Sequence, residues 1–98
     1  MSGFDYKQLD DIIHSRIRLA IMSLLISLGN AEFSLLKTQL NATDGNLSVH
    51  LKKLEDAGYI SVNKEFINRK PVSTYALTAK GKKAFQTYIE KLENLIRK

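Results

Sequence analysis

Cysteine is absent from this chain. Disulfides and thiolate metal sites are thereby excluded, and such usage fits a cytoplasmic protein. No apolar run approaches the roughly 18 residues that span a bilayer. The longest, Leu19 to Leu28, is broken by Ser23 and Ser27 and preceded by Arg16 and Arg18. The N-terminus lacks a basic region followed by an apolar core, so no signal peptide is expected. There is a single proline, and the five glycines are scattered at positions with cap or turn explanations. No glycine-rich phosphate loop, nucleophile elbow, HExxH pair or set of paired carboxylates is present. These gaps argue against an enzyme, and no cofactor is expected.

What remains is an ordinary globular composition, 44% hydrophobic and 26% charged over 98 residues. That length makes one domain with a modest core, and no linker or internal repeat divides residues 1–98. The net charge of +5 is unevenly spread: residues 37–83 hold nine lysines and arginines against four acids, whereas the two flanks together balance. A basic excess confined to one segment points to a polyanionic partner or to a solvated basic face.

Apolar residues recur at helical spacing from Leu9 to Leu28, and Gly29-Asn30 stops them as a cap pair would. A helix is therefore expected over about 9–28, open to a break near His14–Ser15. Residues 31–33 read as a short strand. Ser34 is placed to cap a second helix with Leu35, Leu36 and Leu40 inward, ending near Asn41. Thr43 or Asp44 caps a third, over about 44–57, whose inner stripe is Leu47, Leu51 and Leu54. Residues 59–66 and 72–77 have strand composition and flank the polar turn 67–71, giving a hairpin with a basic tip. Pro71 stands at a strand's start, where a missing N–H does little harm. Thr78 caps a last helix to about 97, striped by Phe85, Tyr88, Ile89, Leu92, Leu95 and Ile96. The expected fold is mainly α with a small β-wing, in the order α-β-α-α-β-β-α.

Two short helices joined by Asn41-Ala42-Thr43 make a helix-turn-helix, and the wing at 59–77 follows at once. With Leu47, Leu51 and Leu54 buried, the third helix turns Asn46, Ser48, Val49, Lys52 and Lys53 outward. Short polar side chains come first, suited to base edges, with Val49 placed for a thymine methyl. The lysines come later, suited to phosphates.

The stretches LSVHLKKLEDAGYI at 47–60, YALTAKG at 75–81 and LDDIIHSRIRL at 9–19 resemble the MarR/ArsR-like winged helix-turn-helix transcriptional regulators, in particular their compact single-domain bacterial and archaeal group. The resemblance extends from about residue 9 to 90. It implies double-stranded DNA as partner, contacted by Asn46, Ser48, Val49, His50, Lys52 and Lys53 on the recognition helix and by Asn68, Arg69 and Lys70 at the wing tip. It also implies a homodimer that regulates transcription. The metal sites of ArsR-type sensors are not expected here, because His14 and His50 lie on different elements and no cysteine accompanies them. His50 reads as a packed or phosphate-contacting residue, His14 as a helix-surface or interface residue. No spacing marks an effector pocket.

The helices at about 9–28 and 78–97 carry more apolar surface than two short helices and a hairpin can cover, so they are expected to pair across a two-fold axis. One rival stays open: a winged-helix protein–protein interaction module that does not bind DNA. The basic tip beside Lys52 and Lys53 speaks against it. RNA binding lacks stacking aromatics on the outer face.

Overall fold

The computed structural model describes residues 6–97; the outer ends of the expected 1–98 unit lie outside them. After a 3-10 turn at Tyr6–Gln8 come α1 (Arg16–Leu28), β1 (Asn30–Glu32), α2 (Phe33–Leu40), α3 (Asp44–Asp56), β2 (Ile60–Ile67), β3 (Lys70–Leu77) and α4 (Ala79–Ile96). The strands form one antiparallel sheet in the order β1-β3-β2. This is the winged helix-turn-helix order. Among the described residues no helix is long and apolar enough to cross a membrane.

The first helix begins later than its periodicity suggests. Asp10 Oδ1 accepts from the Ile12 N–H at 2.8 Å and the Ile13 N–H at 3.3 Å, which holds residues 10–13 in a side-chain-capped turn that competes with helix. Ser15 then caps α1 by accepting from the Arg18 N–H. Leu9 and Ile13 are nevertheless buried, so the apolar spacing of residues 9–13 reports packing, not helix. Two further expectations need correction. Phe33 already lies in α2, whose N-cap position is Glu32 and not Ser34. Glu32 is held extended by pairing with Thr74, so the helix starts directly after the strand. Leu35 is exposed, while Leu36 is fully buried; a two-turn helix offers the core one narrow stripe.

Isoleucines 13 and 21, Met22, Leu25, Leu36, Leu47 and Leu54 are the side chains sealed in the core. Ile60, Tyr75 and Leu77 close it from the sheet. Thr78 joins the two ends of the wing to the bundle. Its hydroxyl donates to the Gly58 carbonyl at 2.6 Å and accepts from the Gly81 N–H at 2.9 Å. Gly81 sits against the Tyr59 carbonyl so closely that a Cβ would overlap it.

The hairpin is tighter than the expected turn 67–71. Ile67 pairs with Lys70, leaving a two-residue loop of Asn68 (φ 51°) and Arg69 (φ 66°). Two positive φ values match the turn whose twist suits a hairpin. The pair closing such a loop is hydrogen-bonded, so the next pair, Phe66 with Pro71, is not. Pro71 therefore turns its missing N–H toward the side where β1, which reaches only Thr74, leaves β3 unpaired. Asn tolerates this backbone; arginine does so at a cost of roughly 1–2 kcal/mol. Part of that returns on Arg69→Gly, because glycine loses more chain entropy on folding, by roughly 0.5–1 kcal/mol. Arg69→Gly is expected to raise stability by roughly 0.5–1 kcal/mol and Tm by a few degrees, measured by thermal unfolding. A lower Tm would show that the Arg69 side chain itself stabilises the hairpin.

Candidate nucleic-acid interface

The helix-turn-helix is built from local signals. Asn41 ends α2 in the left-handed conformation, with φ 51° and ψ 46°, as its short side chain allows. Thr43, rather than Asp44, caps α3, its side chain accepting from the Asn46 N–H at 3.2 Å. Asp44 instead pairs with Lys37 across the turn at 2.7 Å. This exposed pair bridges the two helices while leaving an acid in the first turn of α3, where the helix dipole favours it.

Leu47, Leu51 and Leu54 are buried, so α3 has one possible outer face. Asn46, Ser48, Lys52 and Lys53 are exposed on it, and Val49 keeps 55% of its surface open. An apolar side chain so exposed in the middle of a polar face costs hydration free energy unless something covers it. His50 lies at the edge of this face, half-buried. Its Nδ1 is 2.8 Å from a terminal nitrogen of Arg18. Its pKa is pushed below the ordinary imidazole value by burial first, then by Arg18 and Lys53.

The cations divide into two groups. Lys52 is 3.1 Å from Asp56 one turn on, and that hydrogen bond raises its pKa. Lys53, Lys64, Arg69 and Lys70 have no acidic partner among the described residues. Three of these four stand on the hairpin, where Asn68, Arg69 and Lys70 are all exposed at the tip. Phe66, 78% exposed, and Ile67 accompany them. The nine residues expected at the interface thus fall into two exposed sets on different elements, joined through Gly58 and Tyr59, with His50 at the margin. Arg18 was invisible as a site residue in sequence, because its link to His50 spans 32 positions. Phe66 was read as an ordinary strand residue; its place beyond the last core pair of the sheet was the available signal.

A strap of residues 9–15 is tied to Tyr59 and to α4. The Tyr59 hydroxyl donates to Asp10 Oδ2, and the Tyr88 hydroxyl of α4 shares a 2.8 Å hydrogen bond with His14 Nδ1. His14 precedes α1 and is not helical. Among the described residues no three side chains of His, Asp or Glu converge as a metal site would require.

Helix-turn-helix, sheet and basic wing together define a winged-helix protein of the DNA-binding kind. The chain belongs to the winged-helix DNA-binding domain family, whose model matches residues 17–96. An uncharacterised protein of Methanocaldococcus jannaschii is 42% identical over 84 residues, covering 86% of this chain and 91% of that one. A transcriptional regulator homologue from Pyrococcus horikoshii OT3 superposes with a TM-score of 0.81 at 29% identity, over 88% of this chain and 85% of that one. An ArsR family transcriptional regulator shares the fold, with a TM-score of 0.63 at 24% identity over 88% and 84% of the two chains. The family and fold are those of DNA-binding transcriptional regulators, which are not enzymes, in keeping with the resemblance to winged helix-turn-helix regulators.

The Tyr59–Asp10 contact has a measurable signature. Burial first, then the hydrogen bond and charge of Asp10, push the Tyr59 pKa up to about 12. A folded-state value above the ordinary value of about 10 stabilises the fold fully below that pH. That contribution is lost as pH climbs from about 10 to about 12. Asp10→Asn is expected to move the midpoint partway back toward the ordinary value, read as tyrosinate absorbance against a Tyr59→Phe control. Superimposable curves for wild type and Asp10→Asn would refute the coupling.

Proposed function

We propose that this protein is a sequence-specific regulator that binds double-stranded DNA as a homodimer, with α3 in the major groove and the β2–β3 wing on flanking DNA. The observation that carries the reading is the pairing of a small, polar, exposed face on α3 with a wing whose cations lack acidic partners. Base edges need short donors and acceptors that approach closely, and Asn46 and Ser48 at the start of α3 meet that need. Val49 is suited to a thymine methyl. Lys53, Arg69 and Lys70, with Asn68 between strands, suit phosphates and the minor groove flank. Lys52 contributes less, because Asp56 already engages it.

Binding isotherms on specific and scrambled duplexes test this assignment. Asn46→Ala and Ser48→Ala should reduce the specificity ratio, by about 1–3 kcal/mol for a bidentate contact and less for a single one. Lys53→Ala, Arg69→Ala and Lys70→Ala should weaken binding to all sequences and lower the slope of log K against log salt by about 0.9 for each phosphate no longer neutralised. Two half-sites should lie about 10 base pairs apart or a multiple of that. A specificity ratio unmoved by Asn46 and Ser48 but abolished by the lysines would reverse the assignment. Affinity insensitive to salt would favour a protein–protein module instead.

The homodimer is supported by surface that the chain does not cover itself. Ile26 and Leu28 on α1 and Leu95 and Ile96 on α4 are exposed, Ile96 to 73%. Of α4's 18 residues only Gly81 and Tyr88 are buried, and the molecule measures 60 × 25 × 22 Å, elongated for one small domain. A second copy laid along α1 and α4 would bury these stripes. Sedimentation equilibrium should give about twice 11.1 kDa, and Ile96→Asp with Ile26→Asp should give a folded monomer. Monomer mass for the intact protein at all concentrations would sink the dimer.

A further inference from the structure

Arg18 stands in the first turn of α1, half-buried, and carries no acidic partner among the described residues. Its guanidinium is held at two points. Nε donates to the Ile12 carbonyl at 2.5 Å, and a terminal nitrogen lies 2.8 Å from His50 Nδ1 on α3. The Ile12 carbonyl is itself fixed, since Asp10 holds the turn at residues 10–13 and accepts from the Tyr59 hydroxyl. A closed path thus runs from the start of β2 through Asp10, Ile12 and Arg18 back to the middle of α3.

The chemistry of this contact is one-sided. A guanidinium has donors only and stays charged, so the bond exists only if His50 Nδ1 offers a lone pair. His50 is then neutral and its proton sits on Nε2. Burial, Arg18 from α1 and Lys53 from α3 itself all act in that direction. Nε2 has no partner among the described residues. No described residue short of full exposure has a buried polar side-chain atom left without one, so Nε2 reaches solvent. His50 itself lies at the margin of the outer face, next to Val49 in the chain and one turn before Lys53.

We propose that Arg18 is a positioning residue: without touching DNA, it anchors the recognition helix and holds His50 as a neutral donor whose Nε2–H takes a backbone phosphate oxygen. This rests on the DNA-binding reading above. A phosphate accepts and does not donate, so a single fixed N–H suits it. The orientation of that N–H is set from behind, by a residue 32 positions away. Removing Arg18 frees the ring to rotate and to protonate, and the N–H is no longer aimed at the phosphate.

The test has two arms on the intact protein. Without DNA, NMR of the imidazole should show the Nε2–H tautomer and a midpoint below 6.5; Arg18→Met should move that midpoint up. With specific duplex at neutral pH, Arg18→Met should weaken binding by about 10- to 100-fold, the range of one hydrogen bond to a charged group, with the salt slope unchanged. A slope lowered by about 0.9 would mean that Arg18 itself neutralises a phosphate and would overturn the proposal. If Arg18→Met does not fold, His50 variants decide. His50→Gln can accept from Arg18 and donate outward, and should restore affinity that His50→Phe loses. Equal binding by His50→Phe and wild type, or a midpoint indifferent to Arg18, would also overturn it. Failure to bind any duplex would overturn the DNA reading and the phosphate role together, while the titration arm would still judge the Arg18–His50 contact by itself.

Discussion

The burial of Leu47, Leu51 and Leu54 is the constraint on which the rest of the molecule depends. These three side chains lock one stripe of α3 against a core that includes Ile21, Met22, Leu25 and Leu36. Each buried leucine is worth roughly 1.5–3 kcal/mol relative to solvent, so rotating α3 about its axis by one residue would forfeit most of that burial. A helix that cannot rotate has a fixed outer face. Asn46, Ser48 and Val49 point outward for that reason alone, and the hairpin takes its place from the same core through Ile60, Tyr75 and Leu77.

Around this apolar lock polar groups join the elements. Lys37 with Asp44 bridges the helix-turn-helix. Thr78 bonds Gly58 and Gly81, so the end of α3 and the start of α4 move together. Asp10 serves both its own turn and Tyr59, and His14 meets Tyr88 on α4. The strap of residues 9–15 therefore touches Tyr59 just before β2, the start of α1 and the middle of the long terminal helix. It links the connection between α3 and β2 to the helix that extends away from the core.

Charge follows the same division. The two ion pairs lie on the helices, whereas the hairpin cations Lys64, Arg69 and Lys70 have no acidic partner among the described residues. Beyond Val62 and Tyr75 no residue of β2 or β3 is fully buried, and toward the tip the surface turns to Lys64, Phe66, Arg69 and Lys70. Arg69 occupies a left-handed position that glycine would fill with less strain.

The order of elements, the inner stripe of α3, the Thr78 cap, a cap of α3 at Thr43 or Asp44 and the basic hairpin were all legible in the chain, because each is written in neighbouring residues: a period, a cap, a turn. The fold class followed from their order. Three features were not legible, and for one physical reason: they depend on what distant residues do. Leu9, Ile12 and Ile13 have helical spacing, yet Asp10 captures the N–H groups of the two isoleucines, so α1 begins at Arg16. The loop at 67–71 shrank to two residues once strand pairing ran through Phe66 and Pro71. His50 had two readings in sequence, packed or facing phosphate. Tertiary structure shows it half-buried, with Arg18, carried there by the packing of α1 on α3, on one ring nitrogen. Local chemistry determined what kind of protein this is; the closure of α1, the strap and the sheet around α3 decided which atoms it presents.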